Sequence, residues 1–362
     1  MSLQKRFLFV NPFGIGDVLF TVQLVEEVRR HFPDAIIGFV CNERVAGLMR
    51  LNRAVDQIFV FNRGRFRRLW LKSPVLFFKK IRVLLKTIKQ ARFDTLVDLS
   101  LAHQYSFAAW AIGIHKRVGF DFKGRGIFLT HKKKLAAYEK KHVVDTQFQL
   151  LEYLNVPRPT DQIFNFGLRL PKESFETVQM TLKKEGYSKE EQLIAIAPGG
   201  GRSWGEAAIY KQWDIDSFAA VANALSERIA VKFILLGDEK DRSLLHKLAD
   251  RIRLKCLIFS GEAMENVCAL LKEVRILLCN DGGLLHLANA LRVSTLSIYG
   301  PVDERVYGPY GNGCEHIALS LPVPCRTCYQ KFVFSGCNFE RRCLTGISPE
   351  RVTQALCDLL RL

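Results

Sequence analysis

The sequence predicts an α/β protein made of two nucleotide-binding-type domains, each with a parallel sheet, facing each other across a cleft. Three observations carry this. Short apolar runs alternate with stretches of helical periodicity through most of the chain, which is the pattern of successive βαβ units. Near residue 280 the apolar run Arg275–Cys279 breaks into Asn280-Asp281-Gly282-Gly283 and restarts with helical spacing at Leu284-Leu285-His286-Leu287-Ala288. A strand, tight turn and helix start of this kind leave backbone N–H groups unused at the positive end of the helix dipole, a site suited to phosphate or diphosphate. A matching turn opens the chain, where Arg6–Val10 runs into Asn11-Pro12-Phe13-Gly14-Ile15-Gly16-Asp17. One such turn per half is expected of two domains, and 362 residues with 48% hydrophobic content can bury two cores.

In order, the first half reads as strand Phe7–Val10, helix Val18–His31, strand Ala35–Val40, helix Arg44–Leu51, strand Gln57–Phe61, a basic helix, and strand Thr95–Leu99. Pro157-Arg158-Pro159 marks a linker, which places a first domain at 1–165 and a second at 166–347. In the second, the order repeats. Strand Leu193–Ala197, helix Ile215–Glu227, strand Lys232–Leu236, helix Arg242–Arg251 and strand Leu257–Phe259 lead to helix Met264–Lys272, strand Arg275–Cys279, helix Leu284–Ala290 and strand Ser294–Tyr299. Ser348 as N-cap and Pro349 at the first helical position start a last helix over 348–362, expected to pack back toward the first domain.

Charge is unevenly placed. Residues 1–165 hold 28 Lys and Arg against 13 Asp and Glu, a balance of +15, so nearly all of the formal +17 lies there. Between Arg63 and Arg92 stand 11 basic residues and no acid, a run that calls for an anionic partner. Within it, Pro74–Arg92 puts Phe77, Ile81, Leu84, Leu85 and Ile88 on one helical face and Lys79, Lys80, Arg82, Lys86 and Lys89 mostly elsewhere. Such a helix can lie on an anionic membrane or pack its apolar face on its own domain. Nucleic acid is the rival anion, but no recognised binding module is present and none is expected as a partner. No apolar stretch reaches membrane-spanning length and Phe7–Val10 is too short for a signal-peptide core, so a cytoplasmic protein is expected.

Nine of the ten cysteines fall into two groups. Cys41, Cys256, Cys268, Cys279 and Cys357 fall within apolar patterns and read as core. Cys325, Cys328, Cys337 and Cys343 crowd a short loop with C-x2-C spacing at its head. In a reducing compartment this favours thiolate coordination, most simply a structural tetrahedral zinc, with an iron–sulfur cluster or free thiols as alternatives.

Read together, Gly14-Ile15-Gly16-Asp17-Val18-Leu19, Ala197-Pro198-Gly199-Gly200 with Lys211-Gln212-Trp213, and Asn280-Asp281-Gly282-Gly283-Leu284-Leu285-His286-Leu287-Ala288 followed by Tyr299-Gly300-Pro301 resemble the heptosyltransferases of lipopolysaccharide inner-core synthesis, glycosyltransferase family 9. The resemblance spans nearly the whole chain in the right order. It implies a GT-B fold of two Rossmann-like domains and an inverting, metal-independent transfer of heptose from ADP-heptose to the Kdo or heptose of an anionic, lipid A-linked core. The enzyme would sit peripherally at the inner face of the cytoplasmic membrane and need no cofactor for catalysis.

An inverting transfer needs a carboxylate to take the acceptor proton, and the resemblance puts Asp17 in that role, with Gly14 and Gly16 beside it on the acceptor-binding side. A helix-capping aspartate is the competing reading. Without a metal, the leaving ADP is neutralised by the protein. The Asp281-Gly282-Gly283-Leu284 turn offers N–H groups, Lys211 matches the family's phosphate-contacting lysine, and Gly199 and Gly200 line the approach. Asp281 is expected to orient the turn or bind sugar hydroxyls, and His286 either reaches the donor or is a buried helix histidine. Gly237 and Asp241 match the ribose position, with Glu262 on the adenine side. Arg63, Arg65, Arg67 and Arg68 look like the family's acceptor-side cluster for carboxylates and phosphates. The segment Gly200–Glu206 lengthens the loop ahead of Lys211 relative to better-known members, which leaves another nucleotide sugar open as donor.

Two other classes share some of these features. A dinucleotide-dependent oxidoreductase fits poorly, because Gly14-Ile15-Gly16 lacks a third glycine and Asp17 would face phosphate. A non-enzymatic lipopolysaccharide- or RNA-binding protein would need neither Asp17 nor Lys211.

Overall fold

The computed structural model describes residues 4–139, 141–160, 166–187, 191–201, 203–312 and 314–362, with only the backbone of Arg63. These divide into two compact units, the first ending at Arg169 and the second running from Leu170 to Leu362.

In the first unit, β1 (Arg6–Val10), β2 (Ile36–Cys41), β3 (Gln57–Val60), β4 (Thr95–Asp98), β5 (Lys116–Phe122) and β6 (His131–Leu135) form one sheet in the order β3-β2-β1-β4-β5-β6, every neighbouring pair parallel. Strands covered on both faces read as continuous apolar runs, and β1 and β2 are buried almost end to end. One face is covered by the Ile15–His31 helix, which buries Val18, Leu19, Val22, Val25 and Val28. The sequence reading stops short of β5, β6 and the helix His103–Ala111. The reason is local. The edge strand β6 is His-Lys-Lys-Lys-Leu with only Leu135 buried, and β5 carries Lys116, Arg117, Gly119 and Asp121, so neither gives an apolar run.

The second unit repeats the winding. β7 (Gln192–Ala197), β8 (Val231–Gly237), β9 (Leu257–Ser260), β10 (Ile276–Asn280), β11 (Ser294–Tyr299) and β12 (His316–Ser320) are ordered β12-β11-β10-β7-β8-β9, again all parallel. In each unit the chain starts in the middle, winds outward one way, then crosses back to lay its fourth strand against its first. Between those two strands the connecting helices leave toward opposite faces, and a crevice opens at the strands' C-terminal ends.

One boundary differs from the sequence reading. Residues 166–169 belong to the first unit: Gly167 N–H donates to Glu26 Oε1 (3.0 Å), Arg53 N–H to Gly167 O (2.7 Å) and Arg169 N–H to Leu51 O (2.7 Å). The last helix, Pro349–Leu360, packs within the second unit. Its stripe Val352, Leu356, Leu359 and Leu360 is buried in one core with Phe218, Leu225 and Leu296. The cap itself is as read, with Ser348 Oγ accepting from Arg351 N–H (3.3 Å) and Pro349 in the first turn. Among the described residues no helix is long and apolar enough to cross a membrane.

Candidate functional site

The second unit gathers its polar residues at the crevice between β7 and β10. Asn280, the last residue of β10, is buried and ties three segments together. Its Nδ2 donates to Pro198 O (2.7 Å) in the loop after β7, and its Oδ1 accepts from Trp213 N–H (3.0 Å). That brings the Pro198–Gly201 loop against the Asp281–Gly283 turn, with Gly282 beside Gly201. Gly200 is required by space, since a β-carbon there would stand 2.4 Å from Ala208 O. The helix Gly283–Ala290 begins at this turn, so the first-turn amides around Leu284 have no carbonyl of their own helix to bond. His286 lies within that helix and is buried.

Lys211 ends a turn of 3₁₀-helix, Gly205–Lys211, and is only 7% exposed. Its Nζ lies 2.7 Å from Asp281 Oδ2 and 5.1 Å from the centre of the Trp204 ring. Asp281, 4% exposed, is therefore the counter-charge that keeps a buried ammonium beside the helix start. The lysine's backbone is equally fixed. Trp213 is buried with its Nε1 donating to Ile347 O (3.1 Å), and Arg341 Nη1 donates to Ile209 O and Gln212 O (both 3.2 Å). Neither the Lys211–Asp281 pairing nor the Trp204 face was expected from sequence, because both depend on how the loop ahead of Lys211 folds against the turn after β10.

Asp241 lies in the turn after β8. Its Oδ2 accepts from Asp238 N–H (3.1 Å), and a β-carbon on Gly199 would lie 3.1 Å from either carboxylate oxygen, so the absence of a side chain there leaves room for the carboxylate. Gly237 lies against the Asp241 β-carbon in the same way. Glu262 follows β9 at the same edge of the sheet and is exposed.

The first unit has the equivalent construction between β1 and β4. Asn11 is buried; its Nδ2 donates to Asp17 O (3.0 Å) and Thr21 Oγ1 (2.8 Å), and its Oδ1 accepts from Phe13 N–H (3.0 Å). Asn42 Nδ2 holds the loop from the other side through Pro12 O (3.2 Å) and Phe13 O. Gly14 is the N-cap of the Ile15–His31 helix and Gly16 lies in its first turn. Asp17 is half-buried, and its Oδ2 accepts from Gly14 N–H at 3.3 Å, so the capping role is real and a long, weak bond at that. Asp98, across the crevice at the end of β4, was not expected. It is buried, accepts from Ser100 N–H (2.9 Å), and burial pushes its carboxyl up to about 6.

Of the four arginines, Arg65 lines an open cavity of about 480 Å³ in the first unit together with Arg50, Lys80, Glu43, Asn62, Phe66 and Leu69. Arg67 and Arg68 are exposed outside that lining, and the Arg63 side chain lies outside the described residues.

Cys325, Cys328, Cys337 and Cys343 all face one small cavity, lined also by Arg326, Arg341 and Arg342. Burial, and then the neighbouring thiols, hold the Cys328 and Cys343 thiols above their ordinary value. Among the described residues no three His, Cys, Asp or Glu stand at metal-ligand spacing. The loop carries a short antiparallel hairpin, β13 (Tyr329–Gln330) and β14 (Val333–Phe334). Tyr329 and Phe334 lie 5.0 and 4.8 Å from the Trp204 ring that Lys211 rests on.

Comparison with known proteins agrees with this geometry. The family model described as glycosyltransferase family 9 (heptosyltransferase) matches residues 81–332. Lipopolysaccharide heptosyltransferase 1 of Pseudomonas aeruginosa is 24% identical over 372 residues, covering 97% of each chain, and lipopolysaccharide heptosyltransferase 2 of Escherichia coli K12 is 23% identical over 368 residues, covering 98% of each. A glycosyl transferase family 9 structure from Veillonella parvula superposes with TM-score 0.82 at 22% identity over 100% of this chain and 99% of that one. The E. coli ADP-heptose lipopolysaccharide heptosyltransferase II structure superposes with TM-score 0.74 at 19% identity over 98% of each.

Proposed function

The chain belongs to glycosyltransferase family 9, the heptosyltransferases, with the GT-B fold of that family, and on that premise we propose that it moves heptose from ADP-heptose onto the Kdo or heptose of a lipid A-linked core. The observation that carries the donor side is the buried Lys211 held beside the amides of the Gly283–Ala290 helix. An ammonium and a helix start converge on one place, which is what a leaving diphosphate needs when no metal shares its charge. The names of relatives that act on lipopolysaccharide, and of one that uses ADP-heptose, support the substrate class.

In the reaction proposed, the acceptor hydroxyl oxygen attacks the anomeric carbon from the face opposite ADP. The carbon–oxygen bond to the diphosphate breaks, its electron pair leaves with ADP, and the hydroxyl proton passes to Asp17. Lys211 and the turn amides take up the charge that develops on the diphosphate. Asp241 is suited to the ribose hydroxyls, and the Arg65 and Lys80 cavity to the carboxylates and phosphates of the core. The enzyme works peripherally at the inner membrane face in this reading.

For the four cysteines, which share one cavity without standing at metal-ligand spacing, we propose one divalent ion, zinc by first choice. Binding would draw the thiols together as thiolates, with Arg326, Arg341 and Arg342 offsetting their charge. The ion would fasten the loop behind Trp204 and take no part in sugar transfer.

The test is a donor screen with mass readout on purified core acceptors, with excess EDTA and with the Asp17→Asn variant. Asn keeps an oxygen to accept from Gly14 N–H but cannot take a proton. Turnover is expected to fall roughly 10²–10⁴-fold while ADP affinity stays near that of the wild type. Near-normal turnover of this variant removes Asp17 from the mechanism, and a preference for another nucleotide sugar removes ADP-heptose.

A further inference from the structure

The helices Arg63–Lys72 and Pro74–Gln90 form a hairpin whose turn is built by Ser73. Its N–H donates to Leu69 O (2.8 Å), closing the first helix, and its Oγ accepts from Leu76 N–H (3.3 Å), opening the second with Pro74 in the first turn. The inward face is as the periodicity predicts, with Ile88 buried and Phe77, Ile81, Leu84 and Leu85 half-buried. The periodicity gave no sign of a second apolar set, gathered around the turn and left in solvent. Leu71 is 75% exposed, Val75 80%, Phe78 60% and Trp70 45%. An aromatic chain links this tip to the sheet: Phe61 lies 4.6 Å from Phe66, Phe66 6.0 Å from Phe77, and Trp70 5.2 and 5.6 Å from Phe77 and Phe78. Arg67, Arg68, Lys72, Lys79 and Arg82 surround the tip, all exposed and, among the described residues, none in an ion pair.

We infer that this hairpin is a membrane-inserting wedge: its aliphatic and aromatic tip enters the acyl boundary of an anionic bilayer while the flanking cations bind the lipid phosphates. Exposed apolar side chains held on a rigid turn need an apolar medium to cover them, and cations without counter-charges need an anionic one. A bilayer with acidic headgroups supplies both at one depth. A second copy of the chain does not, because two acid-free basic hairpins repel. Single-stranded nucleic acid would stack on Trp70 and Phe78 but offers nothing to Leu71 and Val75. This deepens the membrane-side reading above and rests on it only for the choice of leaflet.

The experiment uses the full-length protein with vesicles of phosphatidylglycerol and phosphatidylethanolamine, some carrying brominated acyl chains, against phosphatidylcholine vesicles. Cosedimentation with the anionic vesicles is expected, with bromolipid quenching of a tryptophan signal that disappears in Trp70→Phe. Leu71→Ser/Val75→Ser/Phe78→Ser should weaken vesicle binding at least tenfold while the protein still melts cooperatively within a few degrees of the wild type, since these side chains are mostly in water. Its turnover on a delipidated, soluble core acceptor should remain that of the wild type. Vesicle binding without quenching of Trp70, or binding unaffected by the triple variant, overturns the wedge in favour of a purely electrostatic contact. Binding of an RNA oligomer in preference to vesicles, or concentration-dependent dimerisation lost in the triple variant, overturns it in favour of those partners. Failure of sugar transfer with quenching intact leaves the wedge standing and removes the enzymatic reading instead.

Discussion

Lys211 and Asp281 show how a buried ion pair separates two kinds of evidence. Removing one member leaves the other charged in a dry site, so Lys211→Ala is expected to cost roughly 3–5 kcal/mol of stability as well as ADP affinity. The double variant Lys211→Met/Asp281→Asn removes both charges. It should recover most of the stability, measured by urea unfolding, while ADP binding by calorimetry stays weakened by about 1.5–3 kcal/mol. If the double variant binds ADP as the wild type does, the lysine is structural and another group holds the diphosphate. Asp98 makes a pH prediction. Its carboxyl sits at about 6 in the folded protein against an unfolded value near 3.8, so between those values the folded state holds a proton that the unfolded chain has lost. Stability attributable to this group therefore falls as pH rises from about 4 to about 6 and is flat above, a difference on the order of 3 kcal/mol. Asp98→Asn, which can still accept from Ser100 N–H, should lack that fall. Parallel stability curves for the two proteins across this window would sink the assignment.

At the scale of the element, the loop of residues 325–343 is more than a stretch before the last helix. Tyr329 and Phe334 pack on Trp204, and Arg341 fixes the carbonyls of Ile209 and Gln212 on either side of Lys211, so the loop forms the back wall of the donor-side lysine. Purified protein is expected to carry about one thiolate-bound ion per chain, read by mass spectrometry of the metals. Cys325→Ser/Cys328→Ser should lose it and weaken donor binding more than acceptor binding, whereas Cys268→Ser, a change in the core, should keep it. Equal metal content in the wild type and the loop variant would return these cysteines to free thiols. The elements that periodicity revealed are those with both faces buried, such as β1 and β10. Those it missed, β6 and the exposed tip of the Arg63–Gln90 hairpin, lack the buried face from which a pattern arises.

For the whole molecule, the charge asymmetry is the feature that function must use. An excess of +15 in residues 1–165 concentrates attraction for anions on the unit that holds the Arg65 and Lys80 cavity. Replacing those two by Gln should raise the acceptor KM and flatten its dependence on salt, because exposed charges are screened over about 8–10 Å at physiological ionic strength. The donor KM should barely move. A matched rise in both constants would show a general loss of fold or field instead of an acceptor site.

The sequence by itself determined the two parallel-sheet units, the family, and the glycine turns that follow β1 and β10, because each is written in local order: apolar runs, turn residues and the spacing between them. What only the tertiary structure decided are relations between segments far apart in the chain. Asn280 joining Pro198 to Trp213 and Asp281 pairing with Lys211 are contacts between residues more than 60 positions apart, and the last helix closes the second core with Phe218 and Leu225, more than 100 positions before it. No periodicity encodes them, since whether a polar side chain is a partner, a cap or a solvated surface group depends on what the fold brings against it.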